Sequence, residues 1–522
     1  MRNSKGLLLH NADVYVFDDK RSEAESILFR NGYVEAVGTN RDVMEHAKDP
    51  MKIDLDGRVV IPGFNDAHTH IIGVGNQLLE TNLSKAKSRD EALSMLSENA
   101  EDTDTGEWVI GFGYDESTWP RGEREYLTKE ELDRVSDEHP VVAQRVDGHT
   151  LSLNTKGLDK VDFNGAEHDI EEVDDELTGV VVEDAAARVK RAMYPGPEKS
   201  KKALRKAIER AHELGVTSVQ TMSGVVTLEG RGNPDHKAYF SLWREDELDL
   251  RITFYVHQDH VESLADLEVA SCFGDSRLKI GGVKFFSDGS VGAHTAKIYG
   301  EYTDDPGNDG QMVNDGESLE EMFEITAEAN QQMATHAIGD KAIDTVLEGY
   351  ESVLDEYETE PRLRVEHFEF ATDEALERAA ENRIIASMQP NFLQWSYNDG
   401  LYETRLGEKS LSKNNRYRDV LDAGIPLAFG SDAMPFGPLY GIHHAVNAPH
   451  ESQRVSVDEA IAAYTRNAAY AEFAEDEKGT LEPGMLGDAV VLDRDPFEHP
   501  DEIKDIEVVM TIFEGDIVYS KF

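Results

Sequence analysis

Between residues 59 and 430 the chain carries eight short apolar segments, many of them separated by amphipathic stretches. The segments are 59–64, 217–222, 251–256, 281–286, 333–337, 363–368, 384–389 and 426–430. Each is strand-like in length and content. Apolar residues at helical spacing predict helices over 201–214, 319–332, 341–355 and 373–382. Gly215 is placed to cap the first of these. Strands alternating with helices define a parallel sheet, and eight such strands close a barrel. The fold class expected is α/β, a (β/α)8 TIM barrel.

The chain ends read differently. Strands are predicted at 7–17, 27–30 and 33–37, with Asn31-Gly32 as a hairpin turn. Further strands at 51–55 and 58–61 flank Asp56-Gly57, a second hairpin signal. Near the other end, 488–492, 508–513 and 517–519 are strand-like, with Glu514-Gly515-Asp516 between the last two. The economical arrangement is a small β-sandwich of residues 1–60 and 479–522, with the barrel over 61–478. The gap after the first barrel strand is too long for a loop, so about 83–199 form an insertion. Strand-like pieces within it are 108–112, 141–146 and 178–182, and the acidic run 167–176 is expected to be a solvated loop.

There are 104 acidic and 52 basic residues, a net charge of −52 spread along the chain. Such a surface repels nucleic acid and anionic membranes. Its even spread points to a shell suited to concentrated salt, where screening removes self-repulsion. One cysteine, Cys272, excludes an intramolecular disulfide and a cysteine metal cluster. No apolar run has membrane-spanning length and no signal peptide is evident, so a cytoplasmic protein is expected. The expected partner is a small-molecule substrate, with a homodimer left open.

The chemistry gathers where the strands end. His68 and His70 follow Pro62-Gly63-Phe64, two apart, so in extended chain both point the same way and can share one metal ion. Lys284 lies inside the fourth strand; as a carbamate it would become an anion able to bridge two metals. The alternative for Lys284 is an ammonium paired with a substrate carboxylate or with Asp288. His336 and His367 end the fifth and sixth strands, at the barrel end that carries active sites. Asp432 ends the eighth, where a carboxylate can touch a metal and take a proton, or merely cap a helix. Asp147 and His149 in the insertion are candidate pocket residues.

This set, His68, His70, Lys284, His336, His367 and Asp432, resembles the amidohydrolase superfamily. The closer resemblance is to the amidohydrolase-3 group, which includes N-substituted formamide deformylases. The likeness runs through Asp147-Gly148-His149, 177–183, 284–290, 463–469 and 479–484. It implies a barrel, a terminal β-sandwich, an inserted segment over the mouth, and usually zinc, here two ions bridged by a Lys284 carbamate. It also implies hydrolysis of a non-peptide C–N bond by a metal-bound hydroxide, with Asp432 as proton shuttle. Asp147, His149, Asp288 and His294 are then expected to bind substrate. The chain departs from the group at Gly292-Ala293-His294-Thr295, and at Phe392, where a histidine is common. Both departures bear on the substrate. A deaminase, an ester or lactone hydrolase, and a regulatory binding protein on the same scaffold are the alternatives.

Overall fold

The computed structural model describes residues 5–145, 150–173, 176–193, 196–223, 233–357 and 362–522. Two compact units divide the chain: Met1–Ile71 with Ile208–Phe522, and Ile72–Ala207.

The larger unit holds the barrel. Its strands are β1 (Phe64–Thr69), β2 (Val216–Met222), β3 (Arg251–His257), β4 (Leu278–Phe286), β5 (Gln332–Ala337), β6 (Arg364–His367), β7 (Ile385–Met388) and β8 (Leu427–Phe429). They lie side by side in chain order, each pair parallel. The ring closes just past β8, where the Asp432 N–H donates to the His68 carbonyl at 2.8 Å. Gly430 permits that approach, because a Cβ there would stand 2.4 Å from the His68 nitrogen. Helices Gly316–Glu328, Asp340–Glu356 and Asp373–Glu381 follow the predicted periodicity.

The first barrel strand starts later than the sequence suggests. Val59–Pro62 belongs to the terminal sheet, and the chain changes sheets at Gly63. The Gly63 N–H bonds the Asp488 carbonyl while the Phe64 N–H bonds that of Gly215. A Cβ on Gly63 would meet the Thr217 hydroxyl at 2.3 Å, so only glycine fits the crossing.

Both chain ends build one eight-stranded sheet, in the order Asp516–Ser520, Val508–Phe513, Ala489–Leu492, Val59–Pro62, Leu7–Tyr15, Glu23–Arg30 and Tyr33–Gly38, with Met51–Asp54 beside Leu7–Tyr15. Asn31-Gly32 makes the expected hairpin, both residues at positive φ. Asp56-Gly57 does not. Met51–Asp54 and Val59–Pro62 run parallel to successive parts of Leu7–Tyr15 rather than pairing with each other. The turn carries the chain along one strand edge, a tertiary choice that a local turn signal cannot reveal.

The unit 72–207 has its own six-stranded sheet, ordered Ile170–Val173, Glu176–Val181, Leu151–Leu153, Val141–Arg145, Val109–Tyr114 and Thr81–Asn82. Apolar clusters around Leu96, Trp119 and Val141, and around Val142, Leu153 and Val189, give it its own core. Part of the acidic run expected as loop is the strand Ile170–Val173, whose exposed glutamates blunt a sheet edge. Among the described residues no helix is long and apolar enough to cross a membrane.

At a net charge of −52, self-repulsion should oppose folding in dilute buffer. The unfolding transitions of both compact units are expected to move to higher temperature as KCl goes from the millimolar into the molar range, read by differential scanning calorimetry. A flat profile would defeat the salt-adapted reading of the surface.

Candidate metal centre

Four barrel strands deliver imidazoles or carboxylates to one place because alternate residues point inward and the inward row ends in polar groups. On β1 and just after it, His68 is buried and His70 is part-exposed. The His68 Nδ1 lies 2.5 Å from Glu366 Oε2, which leaves Nε2 free to coordinate. The His70 Nδ1 lies 3.0 Å from the Met222 carbonyl, again leaving Nε2, which sits 3.2 Å from Asp432 Oδ1. The His367 Nδ1 is held by Gln389 Oε1 at 2.7 Å. The His336 Nε2 is held by the Gly289 carbonyl at 2.9 Å, leaving Nδ1. Each ring therefore has one nitrogen anchored and one available, the arrangement that fixes a metal-binding tautomer.

His68, His367 and Asp432 offer ligand atoms that all lie within 4.8 Å of one another, close enough for one ion. The His336 and His367 rings stand 4.5 Å apart, and those of His68 and His367 4.8 Å. Burial holds His68, His336 and His367 well below the usual histidine range, so all three are neutral, the form that binds metal. His367-Phe368 and Asp432-Ala433 both have positive φ. Four non-glycine residues in the left-handed region at two strand ends store strain where the chemistry sits, the pattern of a functional site.

Lys284 is the unusual member. Its Nζ is buried with no hydrogen-bond partner. Burial pulls its pKa down to about 8, against the opposing pull of Glu366 and Asp432. An orphaned amine among ring nitrogens and carboxylates fits a site completed by something absent from the protein chain, and the nitrogen–carboxylate donor set suits a divalent metal. Burial works to raise the Asp432 pKa. The hydrogen bond to His70 and the neighbouring His68, His70 and Lys284 outweigh it and leave the carboxylate below its usual value, so it is ionised at neutral pH.

Other sequence candidates lie differently. The Asp288 carboxylate accepts the N–H groups of Lys297, Ile338 and Gly339 at 2.9–3.1 Å and lies 3.4 Å from His336 Nε2. It pins the loop beside His336. His294 is engaged with Asp304 at 3.0 Å and with the Tyr302 ring. Asp147 and His149 lie outside the described residues. Phe392 lies flat on His367, ring centroids 5.8 Å apart and planes 8° from parallel.

Sequence reading passed over the groups that orient the ligands. Glu366 takes His68, Gln389 takes His367, and Arg364 holds Glu366 at 2.8 Å. The signal was present: two ionisable residues, Arg364 and Glu366, inside an apolar barrel strand must be paired, and the pair has to face inward.

A (β/α)8 barrel that gathers histidines, a carboxylate and a buried lysine at the C-terminal ends of its strands has the build of a metal-dependent hydrolase. The model of the amidohydrolase family matches residues 52–519, and the chain belongs to that family. A metal-dependent hydrolase from Pyrococcus furiosus, titled uncharacterized, matches with a TM-score of 0.81 and 31% identity, over 94% of this chain and all of that one. The chain is 29% identical to YtcJ of Bacillus subtilis, whose name assigns it only provisionally to the amidohydrolases, over 98% of this chain and 99% of the relative. It is 27% identical to the N-substituted formamide deformylase of Arthrobacter pascens, over 100% and 99%.

Proposed function

We propose that this hydrolase cleaves a non-peptide carbon–nitrogen bond in a small amide, formamide or cyclic amide. The observation that carries the reading is Lys284, a buried amine without a hydrogen-bond partner, close to His68, His336, His367 and Asp432. His68 and His70 would hold one ion, with Asp432, 3.2 Å from His70 Nε2, reaching it, and His336 and His367 a second. The closeness of His367 to His68 and Asp432 would put the two ions side by side. Bound ions, zinc by the nitrogen-rich donor set, would polarise a substrate carbonyl and lower the pKa of a water. At a pKa of about 8, about a tenth of the Lys284 amine is neutral at pH 7. The neutral nitrogen bonds to CO2 and releases one proton to solvent. The product carbamate is an anion in a place where an ammonium would repel the metals. Asp432, ionised, takes the proton of the attacking water and returns it to the leaving nitrogen. The full-length likeness to a formamide deformylase supports a C–N bond as the target.

The test is a panel of formamides, N-acyl amino acids, cyclic imides and lactones, run in high salt with zinc. Cleavage of lactones alone would overturn the reading in favour of ester hydrolysis, and release of ammonia from an amino-heterocycle would favour a deaminase. Metal content gives a second check. Wild type is expected to hold two ions per chain, and Lys284→Ala to lose at least one, by plasma mass spectrometry. A wild type with a single equivalent and unmodified Lys284 in electron density would rule out the bridged site.

A further inference from the structure

The inward row of β3 continues past the residues that fix the barrel interior. Thr253 bonds buried Glu472, and the Tyr255 hydroxyl bonds Arg364 and Gln332, so both point inward. His257, two residues on, therefore points inward as well. It pairs in register with Lys284 on β4, one strand spacing away. Its ring lies 5.7 Å from that of Phe286, whose other neighbour at 5.7 Å is His336. Only 12% of the His257 side chain is exposed. The Asp259 backbone N–H is directed at its Nδ1, at 3.3 Å. The Asp259 carboxylate Oδ2 lies at the same 3.3 Å from Nδ1, so the backbone N–H and the carboxylate compete for it; with the N–H donating, Nδ1 accepts and the ring proton is on Nε2. Among the described residues no hydrogen bond reaches Nε2.

We infer that His257 is a substrate-binding residue whose Nε2–H donates to a second acceptor oxygen of the substrate, separate from the carbonyl that is hydrolysed. The inference rests on the hydrolase reading and narrows it. Amides carrying a further carbonyl or carboxylate are favoured over those with only hydrocarbon beyond the nitrogen. Phe286, its ring tilted 37° against the imidazole at 5.7 Å, gives that hydrogen bond an apolar neighbour, where its worth is greater than in water.

The experiment compares N-formylglycine with N-propylformamide, in which the same bond is cleaved and only the second acceptor differs. The zinc-loaded enzyme is used in molar KCl. His257→Phe keeps a ring against Phe286 and removes the donor. It is expected to lower kcat/KM for N-formylglycine tenfold or more, chiefly through KM. N-propylformamide should stay within about twofold, with metal content unchanged. His257→Gln, which retains an N–H donor, should recover part of the loss. An equal fall for both substrates would mean a packing role and would overturn the inference, as would no fall at all. If wild type cleaves neither compound, the formamide reading fails separately. Calorimetric binding of N-formylglycine then decides the inference: equal affinity in wild type and His257→Phe overturns it. A nitrogen-15 spectrum placing the His257 proton on Nδ1 would overturn it without any substrate.

Discussion

Asp432→Asn is expected to lower kcat by about 10²–10⁴-fold while leaving the protein folded and most of its metal in place. The amide has the shape of the carboxylate and can still accept at Oδ1, so the contact with His70 at 3.2 Å survives in outline. What it loses is basicity. In the chain by itself the His70 hydrogen bond and the neighbouring His68, His70 and Lys284 keep the group ionised against a burial penalty. With Lys284 as a carbamate, bound metal ions would supply the positive charge instead, and an ionised carboxylate is what a proton acceptor at neutral pH requires. The substrate for this assay is the best one from the panel. An effect confined to KM would mean that Asp432 only binds, and near wild-type turnover with metal content confirmed would send the proton elsewhere. The same variant separates an enzyme from a regulatory protein on this scaffold, in which loss of a base changes nothing but affinity.

The barrel was legible because its strands are short apolar runs bounded by glycine and polar residues, and seven of the eight predicted segments overlap barrel strands closely. The first was displaced because 59–64 is one continuous apolar run in sequence but serves two sheets in space, divided at Gly63. The candidate residues could be picked out because His68, His70, His336, His367 and Asp432 sit at or just past strand ends, where the barrel points its chemistry, and Lys284 two residues before the end of β4. His257 went unnoticed although it ends β3 in the same way. Its partners, the Asp259 N–H and the Phe286 ring, become visible only when β3 and β4 are side by side. Glu366 and Gln389 were missed for a related reason. The charged pair inside β6 marked Glu366 as inward-facing, but that it orients His68, and Gln389 His367, shows only as a distance between strands.

Arg364 supplies the largest expected effect on stability. Its side chain is fully buried and spends its donors on Glu366 of β6, Gln220 of β2, Tyr255 of β3, the Ala67 carbonyl of β1 and Ser387 of β7. One guanidinium thus ties five strands together across the interior, a geometry that a lysine's single ammonium cannot reproduce. Burial opposes its charge, and Glu366 with Tyr255 more than offsets that opposition. Arg364→Met is expected to cost about 3–5 kcal/mol, most of it the penalty of leaving Glu366 charged and unpaired in the interior. Because Glu366 also holds the His68 Nδ1, metal affinity should fall by about 10–100-fold. The chain has two compact units, so a single unfolding midpoint is a poor measure. Native-state hydrogen exchange of peptides from β1, β2, β3, β6 and β7 reads the barrel alone, in the same molar KCl. Adding Glu366→Gln removes the orphaned charge and should restore part of the lost protection, the signature of coupling between the two. Unchanged exchange in Arg364→Met would show that the interior tolerates the loss of its central cation, and an unaltered zinc affinity would show that His68 needs no help from Glu366 to face the metal.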